Sequence, residues 1–84
     1  MLHILYFAWL RDRLGCSDER MALPENARSV QDLIAQLRAR GGEYGAIFAR
    51  PEQIRVAVNQ RFATVTDPIA ANDEIAFFPP VTGG

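Results

Sequence analysis

The alternation of apolar and polar positions changes period several times along the chain, and each change predicts an element. "LHILYF", Leu2 to Phe7, is rich in aliphatic and aromatic residues with apolar side chains on both faces, which suits a strand in the middle of a sheet. In "AWLRDRLG", Leu10 and Leu14 stand at helical spacing, and Gly15 suits the residue that closes a helical turn. "DERMALP" predicts a short strand from the alternation of Met21 and Leu23, ended by Pro24. The clearest periodicity lies in "SVQDLIAQLRARGG". There Val30, Leu33, Ile34 and Leu37 form one apolar stripe, with Gln31, Gln36, Arg38 and Arg40 on the other side. Ser29 is placed as N-cap with Asp32 three positions on, close to a capping box. Arg38 and Arg40 fall where the helix dipole favours cations, and Gly41 and Gly42 are expected to end the helix.

"EYGAIFA" is ambiguous between loop and short helix, whereas "IRVAVNQRFATVT" reads as a hairpin. A two-residue turn at Asn59 and Gln60 sets Val58 against Arg61, Val56 against Ala63 and Ile54 against Val65, with Phe62 and Thr64 pointing the other way. "DPIAAND" is turn material, and "EIAFF" is the last strand. With one helix long enough to matter, the economical architecture is α+β: a mixed sheet wrapped over one main helix, the β-grasp arrangement of ubiquitin-like proteins. A ferredoxin-like fold needs a second full helix. The expected organisation is a β-grasp domain over residues 1–78 and an extended C-terminal tail over 79–84.

Composition narrows the function classes. Eighty-four residues with 49% hydrophobic content make one small domain. A formal net charge of -1 gives neither the basic footprint of a nucleic-acid binder nor a polybasic membrane patch. The apolar start is too short to span a bilayer and lacks the features of a secretory leader, so the cytoplasm is the expected location. The single cysteine, Cys16, leaves no internal disulfide and no cysteine-cluster metal site. It reads as an ordinary thiol in a loop. His3 has no second histidine or cysteine cluster to make it a metal ligand, so no metal is expected. Arg11 and Arg13 read as a solvated helix face, and Asp32 as a helix-start charge. All nine basic residues are arginine, so no lysine amine is present.

The end of the chain carries the candidate chemistry. In "EIAFF", Ile75 and Phe77 share one face while Glu74, Ala76 and Phe78 share the other, which should be the wetter one. Phe78 then points outward, as the hairpin register independently requires of Phe62. Two exposed phenylalanines predict an apolar patch for a partner; the opposite parity makes both ordinary core residues. Pro79 and Pro80 cannot donate ladder hydrogen bonds and favour an extended path. Six residues reach at most about 20 Å, so Pro79, Pro80, Val81, Thr82, Gly83 and Gly84 can enter another protein's pocket. Gly83 and Gly84 can thread a channel no wider than the backbone. The group delivered to its bottom is the α-carboxylate of Gly84, a poor electrophile until another protein activates it. A terminal glycine pair is also what a frayed chain end looks like.

The ending "DEIAFFPPVTGG", the "FA" and "LR" of "YFAWLRDRLG", the capped helix from Ser29 and the strand "VAVNQ" resemble the MoaD family, the small sulfur-carrying subunit of molybdopterin synthase. The most specific part is "FFPPVTGG". The resemblance covers essentially the whole chain and implies a cycle. A MoeB-like, E1-type enzyme uses ATP to adenylate Gly84, and sulfur delivery converts the terminus to a thiocarboxylate, a covalent 1-thioglycine. The tail then enters a MoaE-like large subunit, where the sulfur is given to cyclic pyranopterin monophosphate. The family also implies a heterotetramer and no bound cofactor in the carrier itself. The chain supplies no catalytic side chain, so it is an enzyme only as part of a complex. A ThiS-like carrier and a ubiquitin-like protein modifier remain as alternatives.

Overall fold

The two strands at the ends of the sequence lie side by side and parallel in the middle of the sheet. The computed structural model of the protein describes residues 1–80. β1 (Leu2–Tyr6) pairs in parallel with β5 (Glu74–Phe78), with His3 level with Glu74 and Tyr6 with Phe77. β2 (Asp18–Met21) flanks β1 antiparallel, and β3 (Arg55–Val58) flanks β5 antiparallel, followed by β4 (Arg61–Ala63). The order β2-β1-β5-β3-β4 is that of a mixed β-grasp sheet. α1 (Trp9–Leu14) links β1 to β2 and closes on Gly15, which is left-handed at φ 77°.

The helical cover differs from the sequence expectation. α2 (Val30–Arg38) buries Val30, Leu33, Ile34 and Leu37, and its capping box is complete. Ser29 Oγ accepts from the Asp32 amide, while the Asp32 carboxylate accepts from the Ser29 amide. A second helix, α3 (Gly42–Phe48), follows at once and buries Ile47 and Phe48. Its apolar positions are too few to show a period in sequence, yet its Phe48 ring meets Phe77 edge-on, with centroids 5.0 Å apart. Gly41 and Gly42 are therefore not a simple stop. α2 has already ended at Arg38, and both glycines take positive φ to turn the chain into α3. Arg40 lies beyond α2, with its guanidinium on Glu19 at 2.7 Å.

The β3–β4 hairpin has the expected register, Val58 with Arg61 and Val56 with Ala63, around Asn59 and Gln60 at φ 51° and 68°. These positive values mark a type I′ turn. The predicted pairing of Ile54 with Val65 does not form. β4 ends at Ala63, and the Val65 carbonyl accepts instead from Gln31 in the first turn of α2, at 2.8 Å. The Asp67 carbonyl likewise takes the Val30 amide at 3.0 Å, so the 64–73 segment satisfies amides that a helix start leaves unpaired. That segment also buries Ile69.

Every strand residue in the core lies on the helix side of the sheet. Leu2, Ile4, Tyr6, Val56, Ile75 and Phe77 are buried there with the stripes of α2 and α3. β1 is central in the sheet, but its alternate residues His3 and Leu5 remain partly exposed on the other face.

Candidate docking face and the root of the tail

That other face carries the candidate site. Along the ladder, Leu5 stands level with Ala76, Ala76 with Ala57, and Ala57 with Phe62. Two alanines in the middle of four strands give a low floor between larger apolar side chains. Phe62, opposite Ala57 on the edge strand, is 85% exposed. Phe78 is half-buried, opposite Arg55 on β3, and its ring centre lies 5.9 Å from that of Phe62. A shallow cleft of about 320 Å³ runs between them, lined by Arg55, Val56, Phe62, Ala63 and Phe78. Of the two parities left open by the sequence, the outward one is that of the structure for both phenylalanines.

One residue of this face was missed. Phe7 follows β1, is 46% exposed, and its amide still donates to the Phe77 carbonyl at 3.1 Å. It thus continues the alternation of β1 onto the outer face, beside the end of β5. The signal was in the sequence, because Phe7 has the parity of His3 and Leu5.

β5 ends at Phe78, and Pro79 and Pro80 follow outside the ladder, both half-buried. The tail therefore starts from a strand held on both sides, by β1 and by β3. The remaining candidate residues, Val81, Thr82, Gly83 and Gly84, lie outside the described residues.

The polar groups nearby are paired with one another. His3 Nε2 meets Asp18 Oδ2 at 2.7 Å on the outer face, and this contact holds the Asp18 carboxyl below its ordinary value. On the helix side, Glu19 accepts from Tyr44 at 2.8 Å, from Tyr6 at 3.1 Å and from Arg40. Burial alone pushes the Glu19 carboxyl up, but the Arg40 and tyrosine hydrogen bonds outweigh it and the net direction is down. Burial and the same carboxylate push both tyrosine hydroxyls well up. Cys16 is partly buried, with Sγ 3.7 Å from the Tyr44 hydroxyl. Arg11 and Arg13 lie on an exposed helix face, where Arg13 pairs with Glu43 at 2.6 Å and lies over the Trp9 ring. Among the described residues, no cluster of three histidine, cysteine or acidic side chains forms, and no helix is long and apolar enough to cross a membrane.

The outer face thus offers apolar contact beside Phe78, the last ladder residue before Pro79 and Pro80. A model of the ThiS family matches residues 4–84. The chain belongs to the ThiS family. Within it, the molybdopterin synthase sulfur carrier subunits of Haemophilus influenzae and of Escherichia coli are each 32% identical to it over all 84 residues and over their own full length. The small archaeal modifier protein 1 of Haloferax volcanii has a similar structure, at TM-score 0.75 and 26% identity, covering 95% of this chain and 97% of that one. The MoaD resemblance over the whole chain and the β-grasp architecture both hold.

Proposed function

We propose that this ThiS-family chain is the sulfur carrier subunit of a molybdopterin synthase. The observation that carries the reading is the position of Phe78, which belongs to the outward aromatic pair and is also the last ladder residue before the tail. A large subunit that covers Phe62, Phe78 and Phe7 would receive the tail at a fixed point. Full-length relatives bearing that name support the assignment.

In this reading the reacting group is the carboxylate of Gly84. An adenylating partner of the E1 type attacks the α-phosphorus of ATP with that carboxylate, forming an acyl adenylate and releasing pyrophosphate. Sulfur delivered at the sulfide oxidation level displaces AMP, leaving a thiocarboxylate, which is a softer nucleophile than the carboxylate it replaces. In the large subunit the sulfur attacks a carbon of cyclic pyranopterin monophosphate and displaces the oxygen substituent which that carbon carried. Water then cleaves the acyl–sulfur bond, so the sulfur stays on the pterin and Gly84 regains its oxygen. Two carriers supply the two sulfurs of the dithiolene. Pro79 and Pro80 limit the conformations lost when the tail docks, and Gly83 and Gly84 let the backbone pass a narrow channel.

Two measurements test this. Carrier isolated from its own host during cofactor synthesis should contain a population whose mass gain equals one oxygen replaced by sulfur. An alanine appended after Gly84 should abolish cofactor production while leaving large-subunit binding within about twofold of wild type. Full cofactor production from an untrimmed extended chain overturns the assignment.

A second reading, a protein modifier, is favoured by the structural likeness to the archaeal modifier. With no lysine in its sequence, this chain could not carry lysine-linked copies of itself. A ladder of tagged conjugates that vanishes on deleting Gly84 would support it.

A further inference from the structure

The link between β1 and α1 contains a conformation that its residue does not favour. Ala8 sits at φ 55°, ψ -132°, and the Leu10 amide donates to the Phe7 carbonyl at 3.2 Å. Residues Phe7 to Leu10 therefore form a tight turn with Ala8 in its second position, close to the type II′ geometry that glycine serves without strain. The other residues at positive φ have local reasons: Gly15, Gly41 and Gly42 lack a Cβ, Asn59 and Gln60 form the hairpin turn, and Asn72 is a residue type that tolerates this region. Ala8 is exposed, so its methyl group fills no space in the core.

What the strained link does is fix its neighbours. On one side, the Phe7 amide is held by the Phe77 carbonyl; on the other, the Ala8 carbonyl accepts from Asp12 at 3.3 Å in α1. The chain is clamped at both ends of the turn, and the group between the clamps that faces solvent is the Phe7 ring. Strain of this kind persists only where the surroundings over-determine it, and it gathers at sites that need a fixed geometry. Glycine in the same place would relax the backbone and also open several other paths between β1 and α1.

We propose that Ala8 is a positioning residue for the docking face: its restricted backbone holds Phe7 outward beside the root of the tail, where the partner subunit covers it. This rests on the reading that the outer face binds the large synthase subunit.

The test is a double-mutant cycle with Ala8→Gly and Phe7→Ala, read as affinity for the large subunit and as melting temperature. Ala8→Gly should weaken binding by about threefold to tenfold while its melting temperature stays within about 3 °C of wild type. In the Phe7→Ala background the same change should have no further effect on affinity. In the free carrier, the Phe7 amide should exchange with solvent faster in Ala8→Gly. The proposal is overturned if Ala8→Gly binds as wild type, if its loss is undiminished without the Phe7 ring, or if Phe7 exchange is unchanged. The Phe62→Ala and Phe78→Ala variants separate the two readings. If both weaken binding and Ala8→Gly does not, only the Ala8 role falls; if neither does, the docking face falls and takes the Ala8 role with it.

Discussion

Phe62 and Phe78 come from strands that are not neighbours, yet their rings lie 5.9 Å apart across β3, tilted by 52°. Phe62 is level with Ala57 and Phe78 with Arg55, so the rings meet diagonally across β3, where Ala57 contributes only a methyl group.

Truncating either ring should separate binding from stability. Phe62→Ala and Phe78→Ala should each weaken large-subunit binding by about tenfold or more, roughly 1.4 kcal/mol or above. Because Phe62 is exposed, its variant should melt within about 2 °C of wild type. The two losses should be less than additive, since the rings touch. Calorimetric titration with parallel thermal melts checks this, and a large fall in melting temperature with unchanged affinity counts against the face.

Phe48 should show the reverse behaviour. It is buried and packs edge-on against Phe77, directly beneath the end of β5. Phe48→Ala should cost about 3–5 kcal/mol, a large part of the roughly 4–12 kcal/mol expected for a domain of this size. Denaturant unfolding gives the value, and a cost under about 1 kcal/mol would mean that α3 is not part of the cooperative core.

Glu19 should make stability depend on pH in acid. Its folded carboxyl titrates below the ordinary glutamate range because Arg40, Tyr44 and Tyr6 hydrogen bonds outweigh burial. A lowered folded value means that the unfolded chain binds the proton more readily. The contribution is therefore present above the unfolded value and is lost as pH falls through the folded one. Glu19→Gln should lower the melting temperature near neutrality, and the gap to wild type should narrow as the pH falls through and below the ordinary glutamate range. Melts across that window decide it; a constant gap excludes the carboxylate charge as the cause.

The hairpin turn should be improvable without touching function. Gln60 is held at φ 68°, where a Cβ is strained, at the end of the sheet away from the tail. Gln60→Gly relieves that strain and adds freedom to the unfolded chain, two opposing effects of about 1 kcal/mol each. A type I′ turn favours Asn-Gly, so the net change should be a stabilisation of about 0.5 kcal/mol with unchanged partner affinity. A fall in melting temperature would contradict it.

Local signals were legible where one residue type has one physical use. Ser29 and Asp32 announce the capping box, the stripe from Val30 to Leu37 announces α2, and Asn59-Gln60 sets a register that places Phe62 outward. Alternation in "EIAFF" placed Phe78 correctly for the same reason, because a strand has a strict two-residue period. α3 was barely visible, since seven residues with two glycines show little helical period and are held by Phe48 packing on Phe77. Phe7 was passed over because an apolar residue near a strand end has the same local signature whether a helix or solvent lies above it.

The sequence by itself determined the capped helix α2, the hairpin turn with its two nearest pairs, and the alternation of β5, since each rests on neighbours a few residues apart. Only the tertiary structure decided which face of the sheet the helices cover. That choice leaves Phe7 and Phe62 exposed and Phe78 half-buried on the outer face, with Ala8 in its strained turn. Burial is a property of what packs above a residue, and in this fold that comes from distant parts of the chain.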